Sequence, residues 1–289
     1  MGTCADGVES AKSKTSCDKM PSLLVSALVF LCYSALSLAF WRAQSRGEGD
    51  LLSRGALGHV VLFPLGLHGY LLWQQVFSAW GFDFGLWHAL SLISWLTLLV
   101  YWVARFFYPL GCLQALVLPL AALVSALPSL FPSVHVLSNT NLWAFQAHIG
   151  VAMLAYSLFT IAVFHAVLIS QVEKHLHRAS LPRILRNLPP LLTMETLLFR
   201  MIGIGFVLLT LTLASGVVFS EAIFGKPWEL NHKVIFGFLS WGVFATLLWG
   251  HLFYGWRGRI AVRWTVGGFA LLLLAYLGSK FVLEILLGR

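Results

Sequence analysis

Ten histidines stand in a chain of 289 residues of which only 10% are charged. They are its candidate chemistry. Imidazole titrates near neutrality and is the commonest metal ligand. Inside a lipid-spanning helix it is costly unless it has a partner. His251 poses the question most sharply. It closes a long apolar run in Trp249-Gly250-His251-Leu252-Phe253-Tyr254-Gly255-Trp256-Arg257-Gly258-Arg259, with arginines following at once.

Other chemistries find little support. No Walker, Rossmann or HExxH motif is present, and acidic residues are nearly absent from the apolar runs, so no Ser-His-Asp set can be built. The expectation is a protein that is not an enzyme. Cys4, Cys17, Cys32 and Cys112 show no CxxC or metal-type spacing, which implies no disulfide framework and no metal site beyond what the histidines offer. The net charge of +8 does not point to nucleic acid. The basic residues lie in short loops, where they orient helices and meet anionic lipid.

The elements that must position the histidines follow from composition. The chain is 59% hydrophobic, against a soluble norm of roughly 25% charged residues. Apolar runs of about 20 residues, the length that crosses a bilayer, recur throughout. Helices are the only isolated segments that satisfy their backbone in lipid. The expected fold is an all-α integral membrane protein, a bundle of about eight transmembrane helices. The spans read 21–41, 56–77, 86–104, 110–128, 143–170, 197–220, 232–254 and 264–287. The fourth holds Pro119 and ends at Pro128, so it is kinked or short; the fifth is long enough to project or tilt. Residues 1–19 are polar and aperiodic and are expected to be a disordered tail, with 20–289 a single transmembrane domain. Met20-Pro21 opens the first run, which makes Met20 a candidate natural start.

Loops after the odd spans carry Arg42, Arg46, Arg54, Arg105, Lys174, Arg178, Arg183, Arg186, Arg257, Arg259 and Arg263. Loops after spans two and four carry no Lys or Arg, and the loop after six carries Lys226 and Lys233. By the positive-inside rule the odd loops are cytoplasmic and both termini lie on the other side. The lysines of the N-terminal tail oppose this, and a start at Met20 removes them.

This topology sorts the histidines by depth. His148, His88 and His232 lie towards the outer face, and His135 in an outer loop; His59, His165 and His251 lie towards the cytoplasmic face, and His68 near mid-depth. His175 and His177 fall in the basic loop region and are solvated. Histidines from different helices at matching depth are what a bis-histidine haem site requires, each imidazole offering a nitrogen to iron. The chain is 14% aromatic, which suits packing on a macrocycle; interfacial aromatic belts give the same enrichment.

From His148, positions +4, +7 and +11 are Ala152, Ala155 and Phe159. Two alanines leave room for a flat ligand, or let helices pack closely; both readings stand. The face of His251 carries Phe244, Ser240 and Gly237. His59 and His68 point to opposite faces unless Pro64 turns the helix. For His59, His88 and His165 a hydrogen bond to a backbone carbonyl is the simpler reading, and for His232 a polar cluster at a helix start. Arg257 and Arg259 could grip haem propionates; anchoring to lipid phosphates is simpler. Gly203, Gly205, Gly216, Gly267 and Gly268 suggest close helix contacts.

Four stretches then resemble a known family. They are Leu188-Pro189-Pro190-Leu191-Leu192-Thr193-Met194-Glu195, Val207–Leu213, Leu247–Arg259 and Leu274–Lys280, joined by Ala147-His148-Ile149-Gly150 through Tyr156. They look like the YpjD-type inner-membrane proteins of the cytochrome c assembly (CcsA/CcmC-like) haem-handling superfamily. The resemblance covers the chain from about Met20 and is densest over 188–289. It implies an eight-helix bundle in the bacterial inner membrane and a non-covalent haem b. It also implies a part in haem transfer or cytochrome c maturation, alongside membrane lipid and other maturation proteins. Residue by residue it supports His148, His251 and, less directly, His68 as haem ligands; His232 and His135 stand as weaker candidates apart from the resemblance. One departure stands out. Members that present haem carry a tryptophan-rich WWD segment, where this chain reads Gly225-Lys226-Pro227-Trp228-Glu229-Leu230-Asn231-His232. That favours haem binding or transport within the membrane over presentation to an apocytochrome. The rival class is a transporter, or a regulatory subunit of another membrane complex, without haem; Glu221 and Glu284 are the few carboxylates it could use.

Overall fold

The computed structural model describes residues 5–46, 56–78, 81–82, 84–108, 113–131, 143–177, 190–218 and 231–281, with side chains of the first helix from Ser22 onward. The expectations for a tail over 1–19 and for a start at Met20 concern residues before that point. Residues 132–142, which include His135, and 219–230, which include most of the stretch that corresponds to the WWD segment, lie outside the described set.

The helices are α1 (Ala5–Arg46), α2 (Ala56–Val60), α3 (Leu62–Val76), α4 (Leu86–Ala104), α5 (Gln114–Leu130), α6 (Trp143–His177), α7 (Leu191–Val218), α8 (His232–Tyr254) and α9 (Gly258–Leu273). A π-helical turn over Leu274–Gly278 and a short α10 (Ser279–Phe281) continue α9. The all-α expectation holds among the described residues, save for a two-residue antiparallel pairing of β1 (Phe77–Ser78) with β2 (Gly81–Phe82). Six helices are long and apolar enough to cross a membrane, and this is a multi-pass membrane architecture. Of the eight spans expected, two are shorter. The apolar part of α5, Leu116–Leu130, reaches roughly 22 Å at 1.5 Å per residue, short of a ~30 Å hydrocarbon core. The second span breaks at Val61, between α2 and α3. Pro64 causes the break: it lacks an N–H, and its ring crowds the carbonyl of Val60 one turn back.

Sequence also explains the helix ends. Pro190 immediately precedes α7, its carbonyl accepting from Met194 N at 3.1 Å, as suits a residue that cannot sit deeper in a helix. Asn231 caps α8, its side chain accepting from Val234 N at 3.2 Å. At the far end of α8, Gly255 takes φ 66°, and Trp256 N donates back to Gly250 O at 3.1 Å. That left-handed residue closes the helix, its own N–H donating to His251 O at 3.2 Å in a five-to-one bond. Glu195 of α7 then accepts from Gly258 N at 2.9 Å, which caps α9 from a neighbouring helix.

Two cores result. The smaller joins α1, α3, α4 and α5 around Val29, Tyr33, Leu65, Leu71, Leu98 and Leu118. The larger joins α4 and α6 to α9 around Met153, Phe159, Leu198, Ile202, Phe244 and Leu272. In lipid, helices associate by close packing and polar contacts rather than by escape from water. At the heart of the larger core Phe159 of α6 stacks on Phe244 of α8, centroids 4.1 Å apart and planes at 19°. Both rings are fully buried. Glycines make the room: a Cβ on Gly205 of α7 would meet Phe159 at 3.1 Å, and one on Gly268 of α9 would meet Phe244 at 2.9 Å. Those two of the expected glycine contacts are therefore direct. Gly203 and Gly267 have nothing within 4 Å of the place a Cβ would take. Buried hydroxyls find partners across helices as well: Tyr156 donates to Leu272 O at 2.6 Å and Ser240 to Gly268 O at 2.8 Å.

Candidate functional site

α8 begins beside one cavity and ends beside another, with the Phe159–Phe244 stack between them. The first, of about 250 Å³, opens between α6, α7, α8 and the π-helical turn. His148, Ala152 and Tyr156 line it from α6, Gly216 from α7, Lys233 and Gly237 from α8, and Tyr276 from the π turn. The extra residue of a π turn widens a helix locally, a distortion common beside functional sites.

The hydrogen bonds around His148 favour one tautomer. Its Nδ1 lies 2.8 Å from Ser215 Oγ, and Ser215 donates to Thr212 O at 3.0 Å. A hydroxyl has one proton. With that proton on Thr212 O, Oγ accepts from His148 Nδ1–H, and the imidazole lone pair resides on Nε2. A histidine whose second nitrogen is held as a donor is the usual arrangement for a metal ligand. The ring also lies against α7, with Cε1 3.4 Å from the place a Cβ on Gly216 would occupy. Of the face expected around His148, Ala152 lines the cavity. Ala155 and Phe159 are instead buried in helix packing.

The second cavity, of about 390 Å³, lies between α7 and α8 at the opposite end, lined by Glu195, Phe199, Arg200, Leu248, His251 and Arg257 among others. His251 Nδ1 is 3.0 Å from Trp256 O. A carbonyl only accepts, so Nδ1 is the donor here too. The ring stacks on Phe199 at 3.5 Å and 10°. His251 thus fastens the turn that ends α8 while facing a cavity. About fourteen residues separate Gly237 from His251, roughly 21 Å along the axis, so His148 and His251 do not share a site. Arg257 lines the His251 cavity, whereas Arg259 pairs with Glu173 at 3.2 Å and is 63% exposed. Neither reaches the His148 cavity.

The remaining histidines are distributed singly. His68 is 1% exposed, with Nε2 2.8 Å from Ser91 Oγ and Nδ1 3.4 Å from Tyr33 Oη. Both its nitrogens are engaged within the smaller core. His165 takes the expected backbone partner, Nε2–H donating to Met194 O at 2.9 Å. His59 instead accepts from Arg105 Nη2 at 3.1 Å. His88 is buried and His232 exposed. No group of three or more metal-ligating side chains occurs among the described residues. A bis-histidine pair within one cavity is not assembled by them either. Ser215, Lys233 and Tyr276 were not among the site residues expected from the sequence. Ala214-Ser215-Gly216 reads there as one more small-residue packing stretch, and its link to His148 spans 67 residues.

Comparison with known proteins decides the family. A model described as Cytochrome C assembly protein matches residues 57–287. The chain belongs to the cytochrome c assembly protein family. It is similar to the inner membrane protein YpjD of Escherichia coli strain K12, 32% identical over 161 residues, which are 56% of this chain and 60% of that relative. It is also similar to the cytochrome c biogenesis protein CcsA of Prochlorococcus marinus strain MIT 9215, 39% identical over 89 residues, 31% of this chain and 29% of the relative. The match to YpjD thus spans about three fifths of that relative's length. Within this family member, both cavities and the stack between them lie inside the matched residues 57–287.

Proposed function

We propose that this family member binds haem non-covalently in the His148 cavity and acts in haem transfer or cytochrome c maturation. The observation that carries the reading is the Ser215-favoured tautomer of His148 on the wall of an apolar, tyrosine-bearing cavity. Nε2 is the nitrogen for iron. Tyr156 and Tyr276 offer ring surface to a macrocycle, and Lys233 is the cation on the wall for a propionate. Bound haem would supply an iron centre, which His148 would hold, and a cargo that other maturation proteins could accept. The reading is of a binding protein rather than an enzyme: the described residues lining this cavity include one histidine, one lysine and no carboxylate. Membership of the cytochrome c assembly family supports the same role, and the Lys and Arg distribution supports a bacterial inner-membrane orientation with this cavity on the non-cytoplasmic side. His68, with both nitrogens engaged, is not part of the proposal.

The test is a visible spectrum of the protein purified from membranes, oxidised and reduced, with haem supplied. A Soret band that shifts on reduction, and that His148→Ala removes, is the expected result. Protein that takes up no haem overturns the reading.

A further inference from the structure

Arg200 stands where a cation needs a partner, and among the described residues it has none of opposite charge. It lies nine residues past the start of α7, roughly 14 Å along the helix, and is exposed on a face that also presents Leu192, Ile204, Val207 and Leu211. Charge at such a position in lipid is costly unless answered. Among the described residues its hydrogen-bond partner is a neutral one, Tyr108 Oη, to which Nη1 donates at 3.3 Å. Guanidinium has five N–H donors. Tyr108, by accepting from Arg200, keeps its own hydroxyl proton to donate. The two side chains therefore present a convergent set of donors.

Arg200 also lines two cavities of opposite character. On one side is the His251 cavity, where Arg257 adds a second guanidinium. Its one carboxylate, Glu195, accepts from Gly258 N at 2.9 Å. On the other side an almost wholly apolar groove of about 320 Å³ runs between α4, α6 and α7, past Val103, Leu99, Ile161, Leu197, Met201 and Ile204. Along α7 the order is Glu195, Thr196 and Arg200, then Met201 and Ile204. Polar groups come towards the helix end, and apolar groups follow towards the middle. This is the polarity of a lipid leaflet.

We propose that this place is a binding site for an anionic phospholipid, with the phosphate held by Arg200, Tyr108 and Arg257 and one acyl chain laid in the α4–α6–α7 groove. Forked guanidinium donors suit phosphate oxygens. The groove explains why a lipid rather than a free phosphate is held. The site is independent of the haem reading, since it shares no lining residue with the His148 cavity.

The experiment uses the full chain, purified and reconstituted with dioleoylphosphatidylglycerol or with dioleoylphosphatidylcholine, and counts bound lipid by native mass spectrometry. Wild type should retain phosphatidylglycerol in preference to phosphatidylcholine. Arg200→Ala should lower that retention about tenfold, and Ile204→Trp, which fills the groove from an exposed position, should do so with the charge intact. Arg259→Ala, outside both cavities, should leave it unchanged. Equal retention of the two lipids by wild type and Arg200→Ala means only annular lipid and overturns the proposal. So does displacement of phosphatidylglycerol by millimolar inorganic phosphate, which would make this a free-anion site. Because Arg200 and Ile204 are exposed, a monodisperse size-exclusion profile is expected for both variants and separates loss of lipid from loss of fold.

Discussion

His68 and His148 look alike in a list of contacts. Each is set between helices, and each has a ring nitrogen 2.8 Å from a serine hydroxyl, Ser91 in one case and Ser215 in the other. Their surroundings separate them. His68 has a second hydroxyl, Tyr33, at its other nitrogen and lies in the smaller core at 1% exposure. His148 has a cavity beside it. A polar side chain in a lipid-facing protein is thus either an interhelical fastener or a potential ligand. What separates these two is the space that adjoins His148.

Four measurements would break or sharpen that contrast. The largest effect belongs to His148→Ala, which removes the proposed axial nitrogen. The Soret band of the reconstituted protein should vanish, and a band that survives unchanged would make His148 a fastener like His68. Next comes Ser215→Ala. Loss of an outer partner to a ligating histidine typically costs 10–100-fold in affinity, so haem titration should show weaker binding by about that factor, with the same spectrum at saturation. His68→Ala should do the reverse. It leaves the Tyr33 and Ser91 hydroxyls without their partner, at a cost of about 1–3 kcal/mol, visible as a lower Tm in detergent, while the Soret band stays. A lost band there would place His68 in the haem site after all. Smallest is Arg259→Ala. An exposed ion pair contributes about 0–1 kcal/mol, so Tm and haem affinity should both hold to within error; a clear loss of haem affinity would revive Arg259 as a propionate contact.

The histidine-bearing helices were legible in sequence because a bilayer leaves apolar segments little structural choice. Edges were legible only where the signal was apolar. α7 starts at Leu191 rather than 197, and α9 at Gly258 rather than 264, because charged residues, Glu195 and Arg259, stand near their starts. Those residues look like loop until Glu195 is seen capping α9 and Arg259 pairing with Glu173. The Pro64 break was foreseen only as a condition for His59 and His68 to share a pocket, and α5 is short although it runs through Pro119 and Pro128. The site was less readable. Helical spacing from His148 found Ala152, but it also selected Ala155 and Phe159, which face helix packing instead. The tautomer of His148 depends on a serine 67 residues away, and the cavity wall on a π turn that no local pattern announces. The separate depths of His148 and His251 were foreseeable from topology, and the structure sets them in different cavities.

The fully buried Phe159–Phe244 pair, wedged in by Gly205 and Gly268, has a directional consequence. It acts as a bulkhead across the bundle. A hydrophobic cargo admitted beside His148 meets stacked rings before it meets the His251 end, so the helix axis offers it no through-route. On the haem-binding reading proposed above, passage of a cargo from the His148 cavity to the His251 cavity along α8 requires the paired rings to part.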